Sequence, residues 1–500
     1  MTSTLLILGD QLLDRHPGLT INDIERVLIV EVVISSYDRL YHRKRLALLL
    51  SAMRHYSKRL KEAGFEVDYR QAYRLETGVQ DHITEFSVDR LFVMDPDSYW
   101  VKNMLDTWSQ TMDVEISVMS NTKMLRTREE FANSLSGLEN ARQENFYRRM
   151  RSLSGVLMKG NNSPEGGKWN FDSSNRKPLP KNGLTITEPL KFEPDEITIQ
   201  VLQEIDIYDH AFGSLEGFDL AVDSHQAELA VNDFVENRLS LFGRYEDAMT
   251  TSSDLVFHSG LSAYMNLGLI DPLALCKTVE EAYVSGKVPI ESAEGFIRQV
   301  IGWREYMHFK YSRLMPSLES VNSWNHVNPL PKFWWTGQTD MTCVKSVVDK
   351  VIKTGYSHHI ERLMILTNFA FVAELDPLEV NEWFNSVYID AYDWVVTPNV
   401  MGMGLNADGG TIATKPYFSS ANYINRMSDY CSSCRYDPKK RTGKEACPFN
   451  FLFWRKVEKE RERLSHNFRS RMMVRQWDRM DESEQYEIFQ NASAWLERIK

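Results

Sequence analysis

Five of the 500 residues are cysteine, and three of them, Cys431, Cys434 and Cys447, form a C-x2-C-x12-C stretch. A chain so sparing with cysteine rarely gathers three thiols by chance. Three thiolates within reach of one another, with a fourth brought in by the fold, make a metal site. The Cys447-Pro448 dipeptide recurs at iron–sulfur ligation sites. A zinc ribbon normally offers two C-x-x-C pairs and this stretch has one, but a four-cysteine zinc site stays open on spacing alone. Cys276 and Cys343 lie far upstream. The second chemical pair is His358 and His359. An imidazole that titrates near neutrality can give and retake a proton, although adjacent histidines are often plain helix residues.

The elements that position these groups fall into two kinds. Apolar runs at Thr4–Leu8, Arg26–Val33, Phe65–Tyr69, Arg90–Met94 and Val114–Met119 read as buried parallel strands. Amphipathic stretches lie between them, the clearest from Tyr37 to Ala63 with Leu46, Leu49, Leu50, Met53 and Leu60 on one stripe. That alternation predicts a doubly wound α/β domain over residues 1–135. Ligands of such sheets sit beyond the carboxyl ends of strands, which makes Gly9, Asp10 and Glu31 candidate pocket residues. The chain shows no G-x-G-x-x-G, and Gly155–Gly160 has P-loop glycine spacing without its Lys and Ser/Thr. Residues 136–200 read as a connector, within which GGKWNFDSSNRKP (Gly166–Pro178) is richer in aromatic and basic residues than a flexible linker needs. Helical periodicity dominates 201–500: Ala227–Phe242, Pro272–Ala282, Ile290–Tyr311, Val344–Thr354, His359–Glu374, Pro377–Asp390, and Phe449 to the end.

Composition bounds the setting. With 43% hydrophobic and 25% charged residues the chain is an ordinary globular one, and its length predicts two or three domains. An odd, small cysteine count argues against a disulfide scaffold. MTSTLLILGDQLLD reads as a buried strand rather than a signal peptide, and no apolar run approaches the ~20 residues of a membrane span. A cytoplasmic monomer with no membrane partner is expected. The net charge of -11 by itself argues against polyanion binding. Its distribution does not: RQENFYRRMR ends at Arg151, and Arg435, Lys439, Arg463, Arg469 and Arg475 belong to a basic C-terminal series. Solvated helix faces would explain both clusters equally well.

Several strings resemble the photolyase and cryptochrome family, in family order and over about half of the chain. FHSGLSAYMNLGLIDP (Phe257–Pro272) resembles its TSRLSPYL segment, and FIRQVIGWREYMH (Phe296–His308) its FIREL-WREF helix. TGYSHHIERLMILTNFA (Thr354–Ala370) resembles the HN/HH-x-x-R-M helix, and NEWFNSVYIDAYDWVVTPNVMGMG (Asn381–Gly404) the flavin-cradling segment. The cysteines and the GGKWNFD loop are similar to those of the iron–sulfur bacterial cryptochrome and photolyase branch, whose best-known members repair (6-4) photoproducts.

The resemblance implies an all-α FAD-binding domain and a [4Fe-4S] cluster on Cys343, Cys431, Cys434 and Cys447. UV-damaged DNA is the implied partner, repaired by an electron from light-excited reduced FAD. His359, with His358 beside it, is the implied proton donor. Asp393 (or its close alternative Asp390) and Asn399 would face the flavin ring, and Ser259, Leu261 and Ser262 its phosphates. Tyr245, His258, Gln299 and Gly302 complete the implied cofactor set, and Arg304 should pair with a phosphate or an acid. Gln299 stands where the family has Glu, and Gly260 where it has Arg. Trp383 and Trp335 resemble the tryptophans that pass electrons to the flavin, with Phe384 where some relatives carry a tyrosine. Trp169, Arg176, Lys177, Trp303, Tyr417 and Tyr423 are implied DNA or lesion contacts. A 6,7-dimethyl-8-ribityllumazine antenna is implied at Gly9, Asp10 and Glu31. Two competing readings are a signalling cryptochrome on the same scaffold and a light-independent iron–sulfur DNA enzyme such as a glycosylase or primase subunit.

Overall fold

The computed structural model describes residues 2–36, 39–127, 129–131, 142–160, 163–181, 183–466 and 470–499. Tyr37, Arg469 and the boundary expected at 135/136 lie outside them. Five parallel strands form one sheet: β1 (Ser3–Leu6), β2 (Arg26–Val32), β3 (Val67–Ala72), β4 (Arg90–Met94) and β5 (Glu115–Met119), in the order β3-β2-β1-β4-β5. β1 is buried throughout and β2 from Val27 to Glu31, because helices cover both faces. The edge strands β3 and β5 mix polar with apolar residues and stay half-exposed. β3 begins at Val67 rather than Phe65, because its ladder with β2 runs from Val27–Val67 to Val32–Ala72.

Helix α1 (Arg43–Glu62) packs on the sheet through the expected Leu46, Leu50, Met53 and Leu60, while Leu49 is only half-buried. Its N-terminus is capped by His42. One ring nitrogen accepts from the Lys44 amide at 3.0 Å, and the other donates to the Ile352 carbonyl at 3.1 Å. That second bond ties the sheet layer to the helical part. The helix Glu196–Asp206 packs against α1, so the boundary expected at 200/201 falls inside an element. A single buried cluster runs from Leu5 and Ile29 through α1 to Phe234, Phe296 and Ile301.

The helical part departs from simple periodicity in places. The stretch expected as one helix from Ala227 to Phe242 is two, Ser224–Asn237 and Leu239–Tyr245. Buried Arg238 breaks it, turning its guanidinium back to Asp233 at 2.7 Å. Among the described residues the C-terminal stretch forms four helices, the first being Pro448–Lys459. That helix is clamped by buried Glu374, which takes Arg455 and Lys456 at 3.0 Å and Lys459 at 2.9 Å. Burial opposes ionisation of Glu374, but Lys456 leads the cations that overcome it and hold the carboxyl at about 2. A carboxylate depressed in this way stabilises the fold fully above its ordinary value of 4.5 and loses that contribution as pH falls toward 2. Glu374→Ala should therefore cost about 3 kcal/mol at pH 7, with a smaller loss at pH 3, measured by chemical denaturation.

Candidate active site

A cavity of about 600 Å³ opens in the helical part, within the range that takes a small-molecule cofactor. Three π-helical turns form much of its wall: Arg298–Arg304, Arg362–Thr367 and Pro398–Gly404. Two of them interrupt longer helices and the third ends one. A π turn carries an extra residue per turn, which re-aims side chains, and such turns gather at functional sites. A Cβ on Gly404 would lie 2.8 Å from the Thr367 side chain, so only glycine lets these two turns close on each other.

Arg362 and Asp390 form the charged centre of the wall, paired twice at 3.0 and 3.1 Å. The guanidinium also lies over the Tyr388 ring at 3.9 Å. Ser262 donates its hydroxyl to Asp390 at 2.6 Å, and the Asn266 amide donates to the Asp390 carbonyl at 2.9 Å. His359 stands three residues before Arg362 in the cavity wall, with much of its surface exposed. The protein packed about the cavity, with Arg362 and Arg176 next, pushes the imidazole down to about 4. His358 lies fully buried behind the wall. It stacks on His258 with ring centroids 4.3 Å apart and planes 12° from parallel. His258 is a wall residue and donates to the Glu246 carbonyl at 3.0 Å.

A second charged group surrounds Arg176, which also lines the cavity. Arg176 pairs with Glu246 at 3.2 Å, Arg298 pairs with Asp172 at 2.5 Å, and the Tyr423 hydroxyl donates to Asp247 at 2.9 Å. Burial pushes Glu246 up to about 7, against the pull of Arg298 and Arg176. The segment Phe171–Lys177 is thereby fastened to the helical part, with the Phe171 amide on Glu294 and Asn175 on the Glu291 carbonyl.

The structure gathers much of the expected set here. Ser259, Gln299, Arg304 and Asn399 line the cavity, as do Trp303, Tyr417 and Tyr423. Arg304 pairs with an acid, Glu305, at 2.9 Å. Other expected residues lie elsewhere. Asp393 holds Ser98 and Tyr311 at 2.8 and 2.5 Å, so Asp390 is the carboxylate of the wall. Tyr245 packs on Phe257, and Leu261 is buried. Gly302 abuts Tyr147 and Gln143 on the helix Gln143–Ser154. Trp169 is half-buried, its ring 5.8 Å from the guanidinium of Arg151, and Lys177 is exposed. Phe384 lines the cavity; Trp383 lies behind it, ring centroids 5.3 Å apart, and Trp335 follows at 6.5 Å. Trp334 is closer to Trp383, at 4.8 Å.

At the strand ends the expected carboxylates are engaged within the chain. Glu31 accepts from Gln71, from Tyr69 and twice from Arg54. Asp10 pairs at 2.9 Å with Lys123, which is fully buried and also meets Asp97 at 2.6 Å. Sequence reasoning missed Arg362, Glu246 and Arg298. Arg362 carried a signal, since three residues after His359 is the same helix face.

Cys343, Cys431, Cys434 and Cys447 line one small pocket together with Tyr430, Tyr436 and Phe449. Cys343 lies in the first turn of Thr342–Thr354, and Cys447 immediately precedes Pro448–Lys459. Burial raises Cys343 well above the ordinary thiol range, Cys431 to about 11 and Cys447 to about 12, and each feels its neighbouring thiols. Among the described residues, no three His, Cys, Asp or Glu side chains stand close enough to share one metal ion. No described helix is long and apolar enough to cross a membrane.

A parallel five-stranded sheet beside a helical part that encloses a large cavity is the architecture of photolyases and cryptochromes. A bacterial class III photolyase from Agrobacterium tumefaciens superposes with a TM-score of 0.62 at 15% identity, covering 100% of this chain and 98% of that one. A Synechocystis cryptochrome does so with a TM-score of 0.61 at 13% identity, covering 100% and 99%. The family model described as deoxyribodipyrimidine photo-lyase-related protein matches residues 5–220. A (6-4) photolyase of Agrobacterium fabrum strain C58 is 40% identical over 100% of both chains. The chain belongs to the photolyase-related family.

The electrostatics of His359 give a direct expectation. In the ligand-free chain its imidazole should titrate near 4 and be neutral at pH 7, and an anion filling the cavity should raise that value. Histidine-selective NMR with and without the flavin checks both.

Proposed function

We propose that this protein is a (6-4) photolyase, a light-driven enzyme that repairs (6-4) pyrimidine–pyrimidone photoproducts in DNA. The observation that carries the proposal is the 40% identity to a (6-4) photolyase along the whole of both chains. The cavity supports it. His359, the Arg362–Asp390 pair and the lining aromatics Trp303, Tyr417 and Tyr423 share one opening of about 600 Å³.

The residues fit FAD. The Ser259 hydroxyl and the remaining Arg362 N–H groups suit phosphates, while Phe296, Val396 and Met403 offer apolar surface to a flat ring. Asn399 donates one amide hydrogen to the Val395 carbonyl, which orients its remaining polar atoms. Bound and reduced, the flavin would supply the light-excited electron. The protein then has three tasks: to orient, to exclude water and to hold a proton. His359 is the group that holds the proton at the cavity. The cavity walls and Arg362 lower its pKa, and anionic occupants would raise it and favour the protonated form. Arg176 and Lys177 bring positive charge to the DNA, and extruding an already poorly paired lesion costs less than flipping a normal base.

The four cysteines fit a [4Fe-4S] cluster. All four cysteines line one pocket, which suits a centre held by four thiolates. Ligation there would join the Cys343 helix to the C-terminal segment. The lumazine antenna does not fit the side chains expected to hold it. Four donor atoms already fill the acceptor sites of Glu31, and Asp10 is paired with Lys123, so both carboxylates are already engaged within the chain.

Illumination of the reduced enzyme with an oligonucleotide carrying one (6-4) photoproduct should remove the lesion. Persistence of the lesion would instead mark a photoreceptor. His359→Ala should retain the flavin and lose repair by about 100-fold or more, the scale of general acid catalysis. Repair by the native enzyme should also fall as pH rises through the His359 value in the complex. Trp383→Phe should abolish photoreduction of oxidised flavin, followed by absorbance, while pre-reduced enzyme keeps its repair rate.

A further inference from the structure

Two of the three elements that carry the cysteines, the Cys343 helix and the Cys431 segment, converge on one carboxylate behind the cavity. Lys350, two turns along the Cys343 helix, places its Nζ 2.8 Å from Glu361 Oε1. Tyr430, the residue before Cys431, donates its hydroxyl to the same oxygen at 2.6 Å. The Glu361 side chain is 0% exposed, and its other oxygen has no hydrogen-bond partner. It sits two residues after His359 and directly before Arg362, in the run that leads into the π turn of the wall. His358 Nε2 is 3.6 Å from Glu361 Oε1, too far for a hydrogen bond, and neither His358 nitrogen has one elsewhere. The His358 ring is held by its stack on His258, a residue of the cavity wall.

The geometry points to Glu361 as a positioning residue, which fixes the His358–His359 turn and makes its placement depend on the four-cysteine pocket. A fully buried carboxylate holding a lysine and a phenol cannot give up either without leaving polar groups unpaired in the interior. Movement of the Cys431 loop therefore acts through Tyr430, and movement of the Cys343 helix acts through Lys350. Each reaches the backbone that aims His359 and Arg362 into the cavity. The pocket of thiols thus does more than fasten the C-terminal segment: it sets the register of the turn that meets the lesion. The catalytic part of this inference rests on the proposed photolyase reading; the structural part does not.

Two variants test the coupling in the full-length, cofactor-loaded protein. Tyr430→Phe removes one hydroxyl and little volume, and Glu361→Gln removes the charge. The readouts are the His358 and His359 ring resonances in histidine-selective NMR, their pH titration, and single-turnover repair with lesion affinity measured separately. Tyr430→Phe should shift both resonances and slow repair about tenfold at saturating lesion, with affinity unchanged, the pattern of a misplaced catalytic group. Glu361→Gln should shift them further. Unchanged resonances and unchanged repair in Tyr430→Phe would overturn the coupling. If the native protein repairs no lesion, the photolyase reading fails on its own, and the resonances alone decide: shifted ones sustain the coupling and unshifted ones overturn it.

Discussion

The Arg362–Asp390 pair is the interaction on which the rest of the site depends. A guanidinium and a carboxylate held inside a protein repay their desolvation only when their geometry is good and their remaining polar atoms are met. Here two parallel contacts near 3 Å, the Tyr388 ring beneath the guanidinium and the Ser262 hydroxyl on the carboxylate supply both. The chain of contacts continues outward. Asn266 donates to the Asp390 carbonyl and accepts from Lys123, whose ammonium also meets Asp10 and Asp97 at the strand ends. The sheet layer thereby reaches the cavity wall through a continuous run of largely buried polar groups.

That line also fills the crevice at the end of the sheet. In doubly wound sheets the crevice beyond the strand carboxyl ends, where strand order reverses, takes ligands. The reversal in this sheet lies at β1, between β2 and β4. Lys123 stands there, between the carboxylates that follow β1 and β4, with His308 3.2 Å from Asp97 on the side of the helical part. The helical part closes over the crevice, and Lys123, four residues after β5, fills it with a cation from the sheet's own part of the chain.

The sheet and the long helices were legible in the sequence because their periodicity is local. Apolar runs of strand length and a stripe repeating along α1 need no knowledge of distant partners. The cysteine spacing was legible for the same reason. What could not be read depends on residues far apart in the chain. Asp390 and Asp393 are equivalent in their string, and only Tyr311 and Ser98, from remote segments, draw Asp393 away from the cavity. Glu31 and Asp10 were read as ligand groups because strand-end carboxylates often are, but Arg54 and Lys123 reach them from other elements. The π turns have no signature in hydrophobic pattern, since a single extra residue in a buried helix leaves the apolar run intact. The break at Arg238 was hidden because arginine is an acceptable helix residue until its own burial demands Asp233.

The placement of the thiols relative to the histidines gives the cysteine pocket a reason that folding energy alone does not. Metal ligation would close the distance between Cys343 and the C-terminal cysteines and stabilise the fold by the ligation energy, and a disulfide or an apolar plug could in principle do likewise. Such a plug, however, would not require the Cys343 helix and the Cys431 loop to end on the same buried carboxylate. Glu361 accepts from both, and it belongs to the turn that presents His359. A rigid multi-ligand centre fixes two elements relative to each other more tightly than apolar packing, in which side chains retain some freedom to shift. A proton donor that must sit within hydrogen-bond reach of a flipped base gains from that rigidity directly, because catalytic placement tolerates errors well below an ångström. The cost is that damage to the thiols cannot remain local: it loosens the turn that carries the chemistry.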